Sequence, residues 1–248
     1  MRDRADVVVT KDADAVAAAA LRLVLGHERE ALARSLQFRI ALAGGSTPRR
    51  LYRLLAASTE PRFADWHVWF GDERWVPADH PDSNARMARE ALLDHVPIPR
   101  RQVHPVDTTA GNPSKAAGLY AREVERGVPR EAGTLPRFDL VLLGLGADGH
   151  TASLFPGSTA LDAAPGEIAV ATWAPAQKSW RVTLTAHEIN AARAVVFLVS
   201  GGDKAAALRR VVESDVADPP PASLVRPAAG SVTFVVDEAA ASGLTSSP

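Results

Sequence analysis

The stretch FDLVLLGLGADGHTASLFPGS, residues 138–158, is the most informative part of the 248-residue chain. It begins with a continuous aliphatic run, Leu140–Leu143, as strands covered on both faces do. A glycine-rich loop follows at once, and this loop carries His150 close to Asp148. The stretch therefore predicts a buried parallel strand with polar side chains at its carboxyl end.

Similar short apolar runs alternate with longer segments rich in Ala, Leu and Arg. This alternation is typical of βαβ units and predicts an α/β fold with a mostly parallel sheet. The predicted strands are 7–10, 38–43, 66–70, 140–143, 169–172, 181–185, 194–199 and 232–236. The predicted helices are 14–35, 48–57, 84–94, 113–126, 186–192 and 204–213. We expect Asp12 or Asp14 to cap the first helix, and Thr47 to cap the second one before Pro48.

No linker interrupts this pattern, so residues 1–248 are predicted to form one domain, with a disordered tail over 242–248. The 28 basic and 29 acidic side chains nearly balance, which argues against a general nucleic-acid binder. Cys is absent, which excludes disulfides, thiolate nucleophiles and Cys-ligated metals. The N-terminus lacks the pattern of a signal peptide, and the most apolar stretch, Ala15–Leu25, is too short to span a membrane. We expect a cytoplasmic monomer or weak homodimer without a nucleic-acid or membrane partner.

The loop Gly44-Gly45-Ser46-Thr47 follows the strand predicted at 38–43 and leads into a helix. Backbone N–H groups in such a loop, together with a helix N-terminus, suit an anion. Arg49 and Arg50 in the first helical turn oppose the helix dipole, and a bound phosphate would reverse that cost. A tight turn with solvated arginines is the alternative interpretation.

A second Gly-Gly junction, Ser200-Gly201-Gly202, follows the strand predicted at 194–199. Lys204 lies in the helical turn after it, either at an anion site or solvated beside Asp203. Arg181, which begins another predicted strand, is either part of an exposed edge or a further member of the anion site.

Three charged residues, Asp72, Glu73 and Arg74, follow the strand predicted at 66–70. Charges at such a position are seldom placed for packing, because burying them unpaired is expensive. A salt bridge from Asp72 or Glu73 to Arg74 is one interpretation. The other is that Arg74 binds a phosphate or carboxylate and an adjacent acid supports it.

The glycines of the loop before His150 fit the dinucleotide pattern G-x-G-x-x-G, which would indicate a dehydrogenase. The match is weak, because Pro156 cuts short any following helix and the next predicted strand ends without an acid for a ribose. His150 is able to accept a proton near neutral pH, although a lone His is more often structural. No His or carboxylate spacing typical of a metal site is present, so we expect no metal.

The segments GGSTP, GDERWVP, HPDSN, GLGADGHTASLFPGS and RVTLT together resemble the 6-phosphogluconolactonases, in order between Val7 and Val236. This resemblance implies a Rossmann-like α/β/α sandwich. It also implies hydrolysis of 6-phospho-D-glucono-1,5-lactone to 6-phospho-D-gluconate in the oxidative pentose phosphate pathway, without a cofactor. The partner would be a small sugar-phosphate lactone.

The same resemblance assigns roles to single residues. His150 matches the general base that activates water, and Asp72 and Asp148 match acids that line the site. The positions that match sugar-phosphate binding are Gly44, Gly45, Ser46, Thr47, Arg74, Arg181 and Lys204.

Two further alternatives stand beside a lactonase. Glucosamine-6-phosphate deaminases have a similar loop, but with a Glu five places after the His, where this chain has Phe155. A ring-opening deaminase needs that carboxylate to assist its His, whereas lactone hydrolysis needs one base, a water and oxyanion stabilisation. A non-catalytic sugar-phosphate sensor would need a DNA-binding element, and the sequence contains no basic helix-turn-helix segment.

Overall fold

A parallel sheet of six strands forms the centre of the computed structural model, which describes residues 5–130, 134–213 and 219–245. Its six strands are β1 (Asp6–Thr10), β2 (Phe38–Leu42), β3 (Trp66–Phe70), β5 (Leu140–Leu143), β8 (Ala194–Val199) and β9 (Ser231–Asp237). Across the sheet, they lie in the order β1-β9-β8-β5-β2-β3. From β2 the chain continues to β3 at one edge of the sheet, and the later strands β5, β8 and β9 are added in the opposite direction. The direction therefore reverses between β2 and β5. The crevice at such a reversal point is where open α/β sheets bind ligands.

A second, smaller sheet is antiparallel and consists of β4 (Asp72–Arg74), β6 (Ala169–Ala174) and β7 (Ser179–Leu184). Its strands lie in the order β4-β7-β6. Two predicted strands, 169–172 and 181–185, therefore lie outside the parallel sheet. Only a short turn joins them, and a parallel crossover needs a dozen or more residues, so an antiparallel hairpin is the outcome.

The α-helices flank the parallel sheet. They are α1 (Ala13–Ser35), α2 (Ser46–Ala57), α3 (Asn84–Ala88), α4 (Pro113–Gly127), α5 (Ala186–Ala191), α6 (Ala205–Val212) and α7 (Glu238–Ala241). The Asp12 side chain caps α1 by accepting from the N–H of Ala15. The expectation that Thr47 caps α2 is wrong: Gly45, at φ 108°, takes the cap position, and Thr47 lies inside the first turn. The helix predicted at 84–94 is regular only to Ala88 and continues as a wider π turn.

Both faces of the sheet are covered, which the alternation along β5 illustrates. Val141 and Leu143 belong to one apolar cluster, while Leu140 and Leu142 belong to the cluster on the other face. Burial of all four side chains explains why the strand is aliphatic throughout. These layers confirm the predicted α/β class with a mostly parallel sheet.

The predicted disordered tail falls partly beyond what can be described, because residues 246–248 lie outside the described residues. Among the helices in the described part of the chain, none is long and apolar enough to cross a membrane.

Candidate active site

A cavity of about 290 Å³ opens at the carboxyl ends of β2, β5 and β8. Its walls include eight of the ten residues that the sequence predicts for the site. These are Gly44, Gly45, Ser46, Thr47, Asp72, Arg74, His150 and Lys204. Asp148 and Arg181 are the two predicted residues that do not line this cavity. The parallel strands bring these loops together because their carboxyl ends meet at one edge of the sheet.

His150 and Asp148 form a close pair on the loop after β5. The imidazole Nδ1 lies 2.6 Å from Oδ1 of Asp148, and the same oxygen accepts from the backbone N–H of His150 at 3.1 Å. Burial alone would raise the pKa of the Asp148 carboxyl, but these hydrogen bonds outweigh it and hold the pKa below its usual range. A proton on Nδ1 that is donated to Asp148 leaves Nε2 as the acceptor. The pair can therefore present a basic nitrogen to the cavity.

Glycine is required where the loop passes beneath this pair. A methyl group on Gly146 would lie 2.1 Å from the Nδ1 atom of His150. Gly149 has φ 85°, a conformation that side chains disfavour, and a methyl group there would meet Pro220 at 2.4 Å. The apolar ring of Phe155 contacts the imidazole, with ring centroids 4.7 Å apart. The imidazole is thus held by a carboxylate and by an aromatic side chain.

Asp72 is buried at the cavity wall, and neutral donors occupy both of its carboxylate oxygens. The Ser153 hydroxyl donates to Oδ2 at 2.6 Å, and the Asn84 amide donates to Oδ1 at 3.0 Å. Sequence reasoning missed Asn84 and Ser153 as supporting residues. Ser153 does lie in the loop motif after His150, but nothing in the sequence indicates that it contacts Asp72.

Glu73 has a structural role. Within the described ranges, neither Glu73 nor Asp72 forms the salt bridge to Arg74 that was one interpretation of the sequence. Its carboxylate accepts from the backbone N–H groups of Arg74, Asn84 and Ala85 and from the Ser83 hydroxyl. Burial raises the pKa of Glu73, although these backbone N–H groups favour the charged form. Glu73 therefore fixes the start of α3 beside the cavity.

Arg74 and Arg181 lie opposite each other on β4 and β7. Arg74 Nη1 donates to the carbonyl of Asp82 at 2.7 Å, and its Nε is buried with no partner among the described residues. Of the two interpretations of Arg181, the exposed edge is wrong, because only 8% of the residue is exposed. Its Nη1 donates to Ser179 at 2.6 Å, and burial followed by the charge of Arg74 lowers its pKa. Arg181 therefore lies beside Arg74 in the small sheet without lining the cavity.

Lys204 lies beside Asp203 and also at the cavity, which are the two placements that the sequence left open. Its ammonium lies 2.9 Å from the Asp203 carboxylate, and it also lines the cavity. Ser200, at the end of β8, lines the same cavity, and its buried hydroxyl finds no partner in the described part of the chain. Ser200 is a further polar group that sequence reasoning did not single out.

No three His, Asp or Glu side chains come together as a metal site within residues 5–130, 134–213 and 219–245. The absence of a metal requirement stays a prediction, because only an activity measurement tests it.

Comparisons with known proteins agree with this architecture. A family model for glucosamine-6-phosphate isomerases and 6-phosphogluconolactonase matches residues 11–234. The chain is 42% identical over 246 residues to a 6-phosphogluconolactonase of Synechocystis, covering 98% of this chain and 99% of that protein. It is also similar to the solved structure of a 6-phosphogluconolactonase from Trypanosoma cruzi, with a TM-score of 0.88, 32% identity and 99% of each chain covered. The chain therefore belongs to the family of glucosamine-6-phosphate isomerases and 6-phosphogluconolactonases.

Proposed function

We propose that the chain hydrolyses 6-phospho-D-glucono-1,5-lactone to 6-phospho-D-gluconate, a step of the oxidative pentose phosphate pathway. The observation that carries this proposal is that His150, paired with Asp148, lines the same cavity as the glycine-rich loop Gly44–Thr47. Relatives that share about two fifths of the sequence over nearly the whole chain bear the name of this activity, which supports it.

In the proposed mechanism, Nε2 of His150 takes a proton from a water molecule while the water oxygen attacks the lactone carbonyl carbon. The Asp148 carboxylate stabilises the imidazolium that forms, through the 2.6 Å contact to Nδ1. Collapse of the tetrahedral intermediate breaks the bond to the ring oxygen, which leaves with a proton from the imidazolium. The water proton is thus returned, and the products are a carboxylic acid and a hydroxyl on one chain.

The phosphate would lie against the loop Gly44–Thr47, where backbone N–H groups at the start of α2 favour an anion. Lys204 and Arg74 line the same cavity and add two positive charges. Because the phosphate is remote from the reacting carbon, its binding energy positions the carbonyl against the water held by His150. We further infer a cytoplasmic enzyme that acts as a monomer or weak homodimer on a small-molecule substrate, without a cofactor.

Glucosamine-6-phosphate deamination is the nearest alternative, and Phe155 argues against it. The phenyl ring against His150 can neither accept nor donate the proton that a carboxylate would handle there.

The decisive experiment is an assay with freshly generated lactone, in which 6-phosphogluconate formation is followed and corrected for spontaneous opening. Turnover above background that His150→Ala abolishes would support the proposal. Ammonia release from glucosamine 6-phosphate, without lactone turnover, would refute it in favour of the deaminase.

A further inference from the structure

A second cavity, of about 270 Å³, adjoins the first, and the walls that belong to it alone have no part in the proposed mechanism. The two cavities share Gly45, Ser46 and Arg74 as walls. The remaining walls of the second cavity are Arg49, Pro81, Asp82, Ser83, Asn84 and Met87. It therefore lies between the first turns of α2 and α3, and His150 is not among its walls.

Positive charge prevails in these walls. Arg49 and Arg74 each contribute a guanidinium, and Asp82 contributes the only carboxylate among the lining residues. That carboxylate has 71% of its side chain exposed and lies 3.8 Å from the His80 imidazole. The cavity therefore has the charge and the size to accept a small oxyanion.

Neither arginine forms an ion pair with a carboxylate among the described residues. The Arg49 guanidinium makes no hydrogen bond or ion pair with any described residue. Glu90, whose carboxylate feels the charge of Arg49, is paired with Arg86 at 2.6 Å. The buried Nε of Arg74 also lacks a partner in the part of the chain that the structure describes. The Arg49 guanidinium therefore keeps its donors free for an anion in the cavity, and Arg74 contributes its positive charge to the same walls.

Arg50, the next residue along α2, behaves differently. Its guanidinium pairs with the Asp14 carboxylate at 2.5 Å, away from both cavities. Since no acidic residue lies in the first turn of α2, Arg49 opposes the helix dipole with no local compensation. A bound anion would remove that penalty for Arg49 but not for Arg50.

We propose that the second cavity is a second anion subsite, which binds a phosphate-sized oxyanion while a sugar phosphate occupies the first cavity. This inference rests on the proposed function, because it takes the first cavity as the substrate site. The oxyanion is either free inorganic phosphate or the second phosphate of a bisphosphorylated sugar that spans both cavities. Arg49 is the residue that holds it, beside the Arg74 guanidinium that both cavities share.

The test is calorimetric titration of inorganic phosphate into enzyme already saturated with 6-phosphogluconate, with ionic strength balanced by chloride. We expect the wild type to bind phosphate in this complex. Arg49→Gln should weaken that binding by about tenfold to a hundredfold, as the loss of one charge-assisted contact does. Arg50→Gln is the matched control and should stay within about twofold, because it removes only an exposed ion pair.

Two results would overturn the inference. Phosphate that fails to bind once 6-phosphogluconate is present would show a single anion site. An Arg49→Gln variant with a KM for the lactone raised as much as its Kd for phosphate would show that Arg49 binds the substrate's own phosphate. Lactone turnover of the wild type is measured in the same preparation: its absence refutes the proposed function, whereas normal turnover without a second phosphate refutes only the subsite.

A hexose bisphosphate and the matching monophosphate, titrated into free enzyme, distinguish the two sources. Tighter binding of the bisphosphate that Arg49→Gln removes identifies one molecule spanning both cavities. Equal binding of the two sugars, with inorganic phosphate still bound to the product complex, identifies a free ion.

Discussion

Replacing Gly146 by Ala should inactivate the enzyme without removing any functional group. The added methyl group would lie 2.1 Å from Nδ1 and 2.3 Å from Cε1 of His150, and 2.6 Å from Oδ1 of Asp148. Atoms do not approach this closely, so the imidazole must swing away from the methyl group and from Asp148. The backbone of Gly146 is outside the left-handed region, so the substitution adds no strain of its own there.

The expected magnitude follows from this displacement. An imidazole moved by about 1 Å loses its alignment with the water, and misplacement on that scale costs about 10²-fold in rate. Complete loss of the base would cost about 10²–10⁴-fold. We therefore expect kcat/KM of Gly146→Ala to fall by about 10²-fold. Stability should change little, because Ala restricts the unfolded chain and offsets part of the local strain.

Initial rates with fresh lactone, together with thermal unfolding, measure both effects. Gly144→Ala is the control in the same loop, because a methyl group there meets nothing within 4 Å and leaves the imidazole in place. Since Gly144 lines the cavity, any effect of that control should fall on KM. The double variant Gly146→Ala/His150→Ala is the sharper test. If Gly146→Ala still reduces the rate by the same factor when the imidazole is absent, its effect does not depend on His150, and the expected displacement of the imidazole is wrong.

His150→Ala should retain the fold while kcat falls by about 10²–10⁴-fold, and the rise of kcat/KM with pH should vanish; a folded variant with wild-type turnover would contradict the assignment. Arg74→Ala should lower kcat/KM for the phosphorylated lactone by about ten- to a hundredfold and leave unphosphorylated gluconolactone nearly unaffected, so equal loss with both substrates would rule out phosphate binding. Burial raises the pKa of Glu188 to about 9, and neither of its carboxylate oxygens has a hydrogen-bond partner within the described residues. The folded state therefore keeps a proton that the unfolded chain releases, and the free energy of unfolding falls as pH rises from about 4.5 toward 9. Glu188→Gln should remove this loss, so its gain in the free energy of unfolding, measured with denaturant, should grow by up to about 1.4 kcal/mol per pH unit. A gain that is independent of pH would refute this. Dialysis against a chelator should leave lactone turnover unchanged, and loss that one divalent ion restores would contradict it.

The sequence predicted those parts of the fold that local composition determines. The bounds of β5 match the prediction because a run of four buried aliphatic residues has no other interpretation between polar neighbours. Strand β4 was missed, because Asp72, Glu73 and Arg74 have low strand preference and become a strand only by pairing with β7. Its partner strand is more than a hundred residues away, so no local pattern records that pairing.

In the site, too, features that follow from local sequence were predictable, and contacts between distant residues were not. The cavity-lining residues were predictable because glycine loops and charges follow predicted strands. The supports of Asp72 were not, since Ser153 lies 81 positions from it in the chain. Arg181 was left with two interpretations for a related reason: a segment with two cations, Lys178 and Arg181, suits an exposed edge, whereas pairing with β4 buries Arg181.

The carboxylates of Asp72, Glu73 and Asp148 show why one of these acids, and not a pair, would serve the chemistry. Glu73 is saturated by backbone N–H groups and a hydroxyl, and Asp72 accepts from Ser153 and Asn84 on both of its oxygens. Neither is free to take a proton from water without losing contacts that hold α3 and the loop after His150. Asp148 alone contacts the imidazole, while Phe155 covers the ring where a second acid would otherwise reach it. A site with one base and one supporting acid suits addition of water to an activated carbonyl, and it lacks the second proton carrier that ring opening and deamination require.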